Sequence, residues 1–155
     1  MNFRVRAAAI ILNDTEELLM VLHRHPKTGD EWWTLPGGGL EPTENAMDAV
    51  GREVCEECNI HCIPDRLVYV REFLDEENSI HHVELFFTAK AVDYNIHKGI
   101  DPELQEQFIT ECRFLSKKDI INTSVAVYPE VLRNRFWQDK DNGFYGHAAY
   151  LGLQK

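Results

Sequence analysis

The chain of 155 residues has no apolar run near the ~20 residues needed to span a bilayer, so a membrane-spanning helix is not expected. Its longest apolar stretch close to the N-terminus, Ala7 to Leu12, has six residues and runs into Asn13-Asp14. That is shorter than the apolar core of a signal peptide, despite Arg4 and Arg6 before it, and it reads instead as a first strand. Basic residues are scarce: sixteen against twenty-six acidic ones, a formal net charge of −10. Such a surface repels phosphate backbones, so no nucleic-acid partner is expected, whereas a divalent cation would suit it. The four cysteines are badly spread for a disulfide framework, with Cys55, Cys58 and Cys62 crowded together and only Cys112 apart. A reducing, cytoplasmic setting is the expectation. Repeats, linkers and low-complexity segments are also missing, and 44% hydrophobic with 27% charged residues is an ordinary globular balance. One domain over residues 1–155 follows, since two would each lack a core.

What is present reads as strands mixed with a few helices. Residues 4–12 and 17–23 are strand candidates, paired as a hairpin or lying side by side. A short extended piece at Trp32 to Leu35 stops at Pro36-Gly37-Gly38-Gly39. Residues 43–58 make the best helix, with Thr43 as its cap and Glu44 in its first turn. Residues 67–74 and 81–92 are long strands, and Leu85-Phe86-Phe87 suggests burial on both faces of the second. A polar loop over 93–110 leads to a strand at 112–115, a helical turn opening at Ser116, and a helix over 129–138 with Pro129 in its first turn. Strands with two helices imply an α/β fold.

The helix after the glycines carries the chemistry. At ~100° per residue, Glu53, Glu56 and Glu57 share one edge, with Ala46 and Ala49 on the same side and Met47, Val50, Gly51, Val54 and Cys58 forming an apolar face. Three carboxylates at this spacing repel one another, and Arg52 offsets only part of that. A cation among them reverses the sign, and clustered oxygens with small neighbours suit Mg²⁺ or Mn²⁺. The plain alternative is a solvated acidic face. Gly37, Gly38 and Gly39 favour the cation, because their backbone can approach a ligand at the same point as the carboxylates.

Residues 38–60 resemble the Nudix box. Gly38, five residues, Glu44, seven residues, Arg52-Glu53-Val54, one residue, Glu56-Glu57, one residue and Asn59-Ile60 match eight of the nine specified positions of GX5EX7REUXEEXGU, where U is apolar. From average residue usage a chance match at a given start is on the order of 10⁻⁸. The lead-in from Trp33 to Glu41 is similar to the family's as well. The departure is Asn59 in the motif's last glycine slot; Asn is the next best residue for a left-handed helix end, so Asn59 is expected at positive φ.

The resemblance implies an α/β/α sandwich around a mixed β-sheet and hydrolysis of a nucleoside diphosphate derivative with Mg²⁺ or Mn²⁺. It implies Glu53, Glu56 and Glu57 as metal ligands, with the Gly38 region adding a carbonyl, and Arg52 with Glu44 holding the carboxylates in place. The water would be activated by a glutamate of the box or of a later segment, where Glu103, Glu106 and Glu111 are candidates. Arg24 is a candidate for a distal phosphate, or a plain surface arginine. Nucleoside triphosphates, nucleotide sugars and ADP-ribose all stay open as small-molecule substrates; the proline that many ADP-ribose hydrolases carry past the box is Glu76 here. Two other classes remain. One is a Nudix-like nucleotide sensor without turnover. The other is a zinc-stabilised module built on Cys55, Cys58, His61 and Cys62, which lacks a second distant ligand pair. Phe136, Trp137, Phe144 and Tyr145 are expected to pack, cover the site or form a homodimer.

Overall fold

The computed structural model describes residues 1–93 and 108–154. Among these residues nine strands form two mixed sheets. The larger runs β4 (Gly37–Gly39), β1 (Asn2–Ile10), β6 (Ile80–Ala91), β5 (Cys62–Asp75), β9 (Ala149–Gln154); the smaller runs β7 (Ile109–Leu115), β2 (Leu18–Arg24), β3 (Glu31–Thr34), β8 (Ala126–Tyr128). β1 is parallel to β6 and antiparallel to β4.

Alternation along the strands builds a core on each face of this layer. Ala7, Ala9, Ile11, Leu19 and Val21 pack beneath α1 (Ala46–Cys58). Ala8, Ile10, Leu18 and Met20 face the other way, toward α2 (Lys117–Asn122), a 3-10 turn (Glu130–Arg133) and α3 (Phe136–Asp141). Phe86 joins one core and Phe87 the other, as the unbroken apolar run in β6 implied. The result is an α/β/α arrangement in which the mixed sheet comes in two parts.

The structure revises several local expectations. β1 and β2 do not pair as a hairpin: they belong to different sheets and meet only where they come together, at the Leu12–Leu18 bridge and the Leu19 N–H bond to the Ile11 carbonyl. Residues 37–39 are a strand, not an open loop. The cap of α1 is Asn45, whose side chain accepts from the Asp48 N–H at 2.8 Å; Thr43 and Glu44 lie before the helix. Met47 is exposed and Gly51 half-buried, while Glu57 lies on the buried face with Ala49, Val50, Val54 and Cys58. The helix expected over 129–138 divides into the 3-10 turn and α3, with Pro129 extended ahead of both. Asn59 does end α1 at φ 55°, ψ 34°, its N–H on the Cys55 carbonyl. Phe136 and Trp137 are core, and Tyr145 is exposed.

Candidate active site

The site starts from three glycines. β4 lies so close to β1 that a Cβ at Gly37 would overlap the Ala7 carbonyl and the Ala8 Cα, and one at Gly38 would overlap the Glu53 carboxylate. Only glycine lets α1 and β4 approach this closely. A Cβ at Gly39 would likewise strike the Arg4 guanidinium, so Arg4 lies against the glycine strand.

Arg52 ties the carboxylates together. Its Nε and Nη2 grip Glu44 at 3.0 and 2.5 Å, Nη2 also donates to the Gly39 carbonyl at 3.1 Å, and Nη1 reaches Glu53 at 2.9 Å and Glu56 at 3.3 Å. Glu44 is the larger partner, and the Arg52 bond holds its carboxyl below the ordinary range. Glu57 is different. It is 9% exposed, and its Oε1 accepts the Gly37 N–H at 2.7 Å. Burial first, and then the Glu53 charge, push its carboxyl well above the ordinary glutamate value; the Gly37 N–H and Arg6 oppose this and lose. Burial also raises Glu53, with Arg52 pulling back and Glu56 adding to the rise.

The structure thus brings together Gly37, Gly38, Gly39, Glu44, Arg52, Glu53, Glu56 and Glu57. Among the described residues no three acidic, histidine or cysteine side chains form a ready cation cage. Arg52 holds Glu53 and Glu56, and Glu57 faces the Gly37 amide. The donor chemistry nevertheless fits a hard divalent ion: carboxylate oxygens, a glycine backbone with no side chain in the way, and negative charge that the protein does not fully balance.

Other candidates fall outside this cluster. Arg24 is exposed at the end of β2, its guanidinium over Gly29, with no bond to the carboxylates. Glu111 pairs with Arg113 at 3.0 Å. Its neighbour Cys112 packs on the α1 side, donating its S–H to the Glu57 carbonyl, so Glu111 points away from α1. Glu103 and Glu106 lie outside the described residues. All four cysteines are free thiols, and Cys58 is buried in the core rather than set out as a ligand.

A cleft of about 630 Å³ opens between the two sheets, with Arg4, which lies against Gly39, on its wall. The larger sheet contributes Arg4, Arg6, Arg71, Phe73, His82, Glu84 and Phe86; the smaller contributes His23, Trp32 and Thr34. Arg6 and Arg71 both bind Glu84, at 3.2 and 2.9 Å. His23 stacks on Trp32 at 5.3 Å and bonds Thr34 at 2.7 Å. Burial, then Arg6, lowers its imidazole to about 4. Sequence reasoning missed these residues. The signal available was period-two alternation, Arg4-x-Arg6 and His82-x-Glu84-x-Phe86, which puts each set on one face. That β1 lies beside β6 was not readable.

A NUDIX domain model matches residues 2–134. The chain belongs to the Nudix family. A NUDIX hydrolase from Nitrosomonas europaea superposes on this Nudix fold with a TM-score of 0.72 at 22% identity, over 90% of this chain and 89% of the other. Among curated proteins, the chain is 36% identical over 64 residues to the 8-oxo-dGDP phosphatase NUDT18 of Homo sapiens, covering 41% of this chain and 20% of that protein. It is 32% identical over 96 residues to diphosphoinositol polyphosphate phosphohydrolase 2 of Rattus norvegicus, covering 60% and 51%. The chain therefore spans between a fifth and about half of these relatives' lengths. Nudix hydrolases generally use a divalent metal, which agrees with the donor set on α1 and β4. No helix among the described residues is long and apolar enough to cross a membrane.

Proposed function

We propose that the chain hydrolyses a pyrophosphate bond in a nucleoside diphosphate derivative, with Mg²⁺ or Mn²⁺ held by Glu53, Glu56, Glu57 and the Gly38 carbonyl. The observation that carries this is Glu57, a buried carboxyl with one backbone N–H and no cationic side chain bonded to it among the described residues, beside Glu53 and the glycine strand. A fold keeps such a charge at a cost, and a bound cation reverses that cost.

A pyrophosphate bridge resists attack because its charge repels nucleophiles and its leaving phosphate is poor. A divalent ion held by these residues would supply charge neutralisation and a water of lowered pKa. The chain's own part is positioning. Arg52 keeps Glu53 and Glu56 in register with Glu44 and the Gly39 carbonyl. Gly38, with no side chain, lets the Glu53 carboxylate lie directly against the β4 backbone. Arg4, lying on Gly39 with no ion pair or hydrogen bond among the described residues, is placed to take a phosphate charge. The cleft holds the rest of the substrate.

The test is a phosphate-release screen with and without Mg²⁺ over nucleoside triphosphates, oxidised guanosine diphosphates, nucleotide sugars, ADP-ribose, dinucleoside polyphosphates and a diphosphoinositol polyphosphate. Release from a nucleotide that EDTA abolishes supports the reading. Tight binding of a nucleotide with turnover of none would favour a sensor instead.

A further inference from the structure

The larger sheet presents side chains to the cleft in rows set by strand register. One row is Arg6, Glu84 and Arg71, and the next is Arg4, His82 and Phe73. The first row is closed. Glu84 accepts from both arginines, and Arg71 donates onward to Gln154 at 2.9 Å. The second row is open. Arg4 makes no hydrogen bond or close ion pair among the described residues and feels, of their acidic groups, only the Glu53 charge, and His82 Nδ1 is a buried ring nitrogen without any hydrogen bond.

His82 is 5% exposed, so water does not make up for the missing bond. Leaving a polar atom in that state is costly, and native proteins tolerate it where something else completes the site. The ring is held by stacking on Phe73, centroids 4.5 Å apart and planes 17° apart. A half-turn about Cβ–Cγ keeps that stack and exchanges the two edges of the ring. The stack thus fixes the ring plane without deciding which edge faces the cleft. Burial, with Arg6 and Arg4 nearby, disfavours its charged form. A neutral imidazole offers one donor and one acceptor, which matches the mixed donor–acceptor edge of a neutral heterocycle.

The aromatic walls agree. His82 on Phe73 comes from one sheet and His23 on Trp32 from the other. A cleft for a heavily phosphorylated ring would instead need many unpaired cations; here Arg6 and Arg71 are already committed to Glu84.

We propose that His82, stacked on Phe73, is the specificity residue that reads the hydrogen-bonding edge of the substrate's nucleobase. This rests on the nucleotide reading given under the proposed function. His82 acts by contact with the base and takes no part in the phosphate chemistry.

Binding without metal separates the two readings. Protein in EDTA is titrated calorimetrically with the 5′-monophosphates of guanosine, adenosine, uridine and cytidine, with ribose 5-phosphate and with inositol hexakisphosphate. At least one nucleotide should bind ~10-fold or more tighter than ribose 5-phosphate. His82→Phe, which keeps the stack and removes the nitrogens, should reduce that nucleotide to the level of ribose 5-phosphate. His82→Asn, which restores polar atoms near Nδ1, should recover part of the preference. In the wild-type protein, the ring-nitrogen NMR signals of His82 should move with the preferred nucleotide and stay still with ribose 5-phosphate, a readout that does not depend on either variant folding. Equal binding of ribose 5-phosphate and every nucleotide, tighter binding of inositol hexakisphosphate, or unchanged base preference in folded His82→Phe would overturn the proposal. Base preference without Mg²⁺-dependent turnover would break the catalytic reading alone; turnover with no role for His82 in base preference would break only this one.

Discussion

Glu57 and Glu84 are both buried glutamates, 9% and 4% exposed; Glu84 lines the cleft, and Glu57 lies on α1 against β4. Burial pushes each carboxyl up. At Glu84, Arg6 and then Arg71 outweigh burial and hold it below the ordinary range. At Glu57 only the Gly37 N–H and the more distant Arg6 oppose burial, Glu53 adds to it, and the carboxyl ends well above that range. The same side chain in the same kind of place is therefore neutralised by the protein in one case and left to be neutralised in the other. The first arrangement is a structural tie between strands. The second leaves a carboxyl whose charged form the protein itself does not stabilise.

Glu84→Ala should break the tie most severely. It leaves two arginines facing each other without their shared carboxylate, and a loss of about 3–5 kcal/mol in urea unfolding is expected. A loss under 1 kcal/mol would mean that water already screens this row.

Glu57→Gln should do the opposite to stability. Gln keeps an oxygen for the Gly37 N–H and removes the charge. Since the folded carboxyl is raised above its ordinary 4.5, its stability contribution is full at low pH and falls as pH rises from that value through the folded one. The variant should escape that fall and be at least as stable as wild type at neutral pH. Its turnover should drop by at least ~10²-fold, about 2.7 kcal/mol of barrier. It should also lose most of the Mg²⁺-induced rise in Tm expected of wild type. Wild-type turnover with a full Mg²⁺ response would reduce the carboxylates to an acidic face.

His23 sharpens the comparison from the basic side. Its folded value of about 4 lies below the ordinary 6.5, so the unfolded chain takes up its proton first. Its contribution is full above the ordinary value and is lost as pH falls toward the folded one. Relative to His23→Gln, wild type should lose roughly 1–2 kcal/mol between pH 7 and pH 5. Parallel stability curves for the two proteins would count against a neutral, buried imidazole. The smallest effect belongs to the end of α1. Asn59→Gly should be neutral, and Asn59→Val should cost ~1 kcal/mol, because a β-branched residue resists the left-handed conformation seen there. Equal melting temperatures for both would show that the helix end rearranges freely.

The chain alone determined the local features. Glycines, carboxylates and Arg52 lie within one strand–helix segment, so their spacing already places them together, and the left-handed Asn59 followed from its slot at a helix end. The α/β class and the two-sided burial of β6 were also legible, because periodicity is a local property. Some local choices were not. Asn45 took the cap from Thr43 because its side chain reaches the Asp48 N–H, and the glycines became a strand because their bare backbone packs flush on β1. The cleft was decided only in three dimensions. Arg4 and Arg6 come from a strand far along the chain from His82 and Glu84 (78 residues separate Arg6 from Glu84), and the rows exist because β1 lies parallel to β6 while β5 pairs antiparallel with β6. The same is true of Glu57: its place in the motif is sequence, but its burial and unbalanced charge arise only when β4 closes over α1 and supplies a single N–H, too little to offset burial.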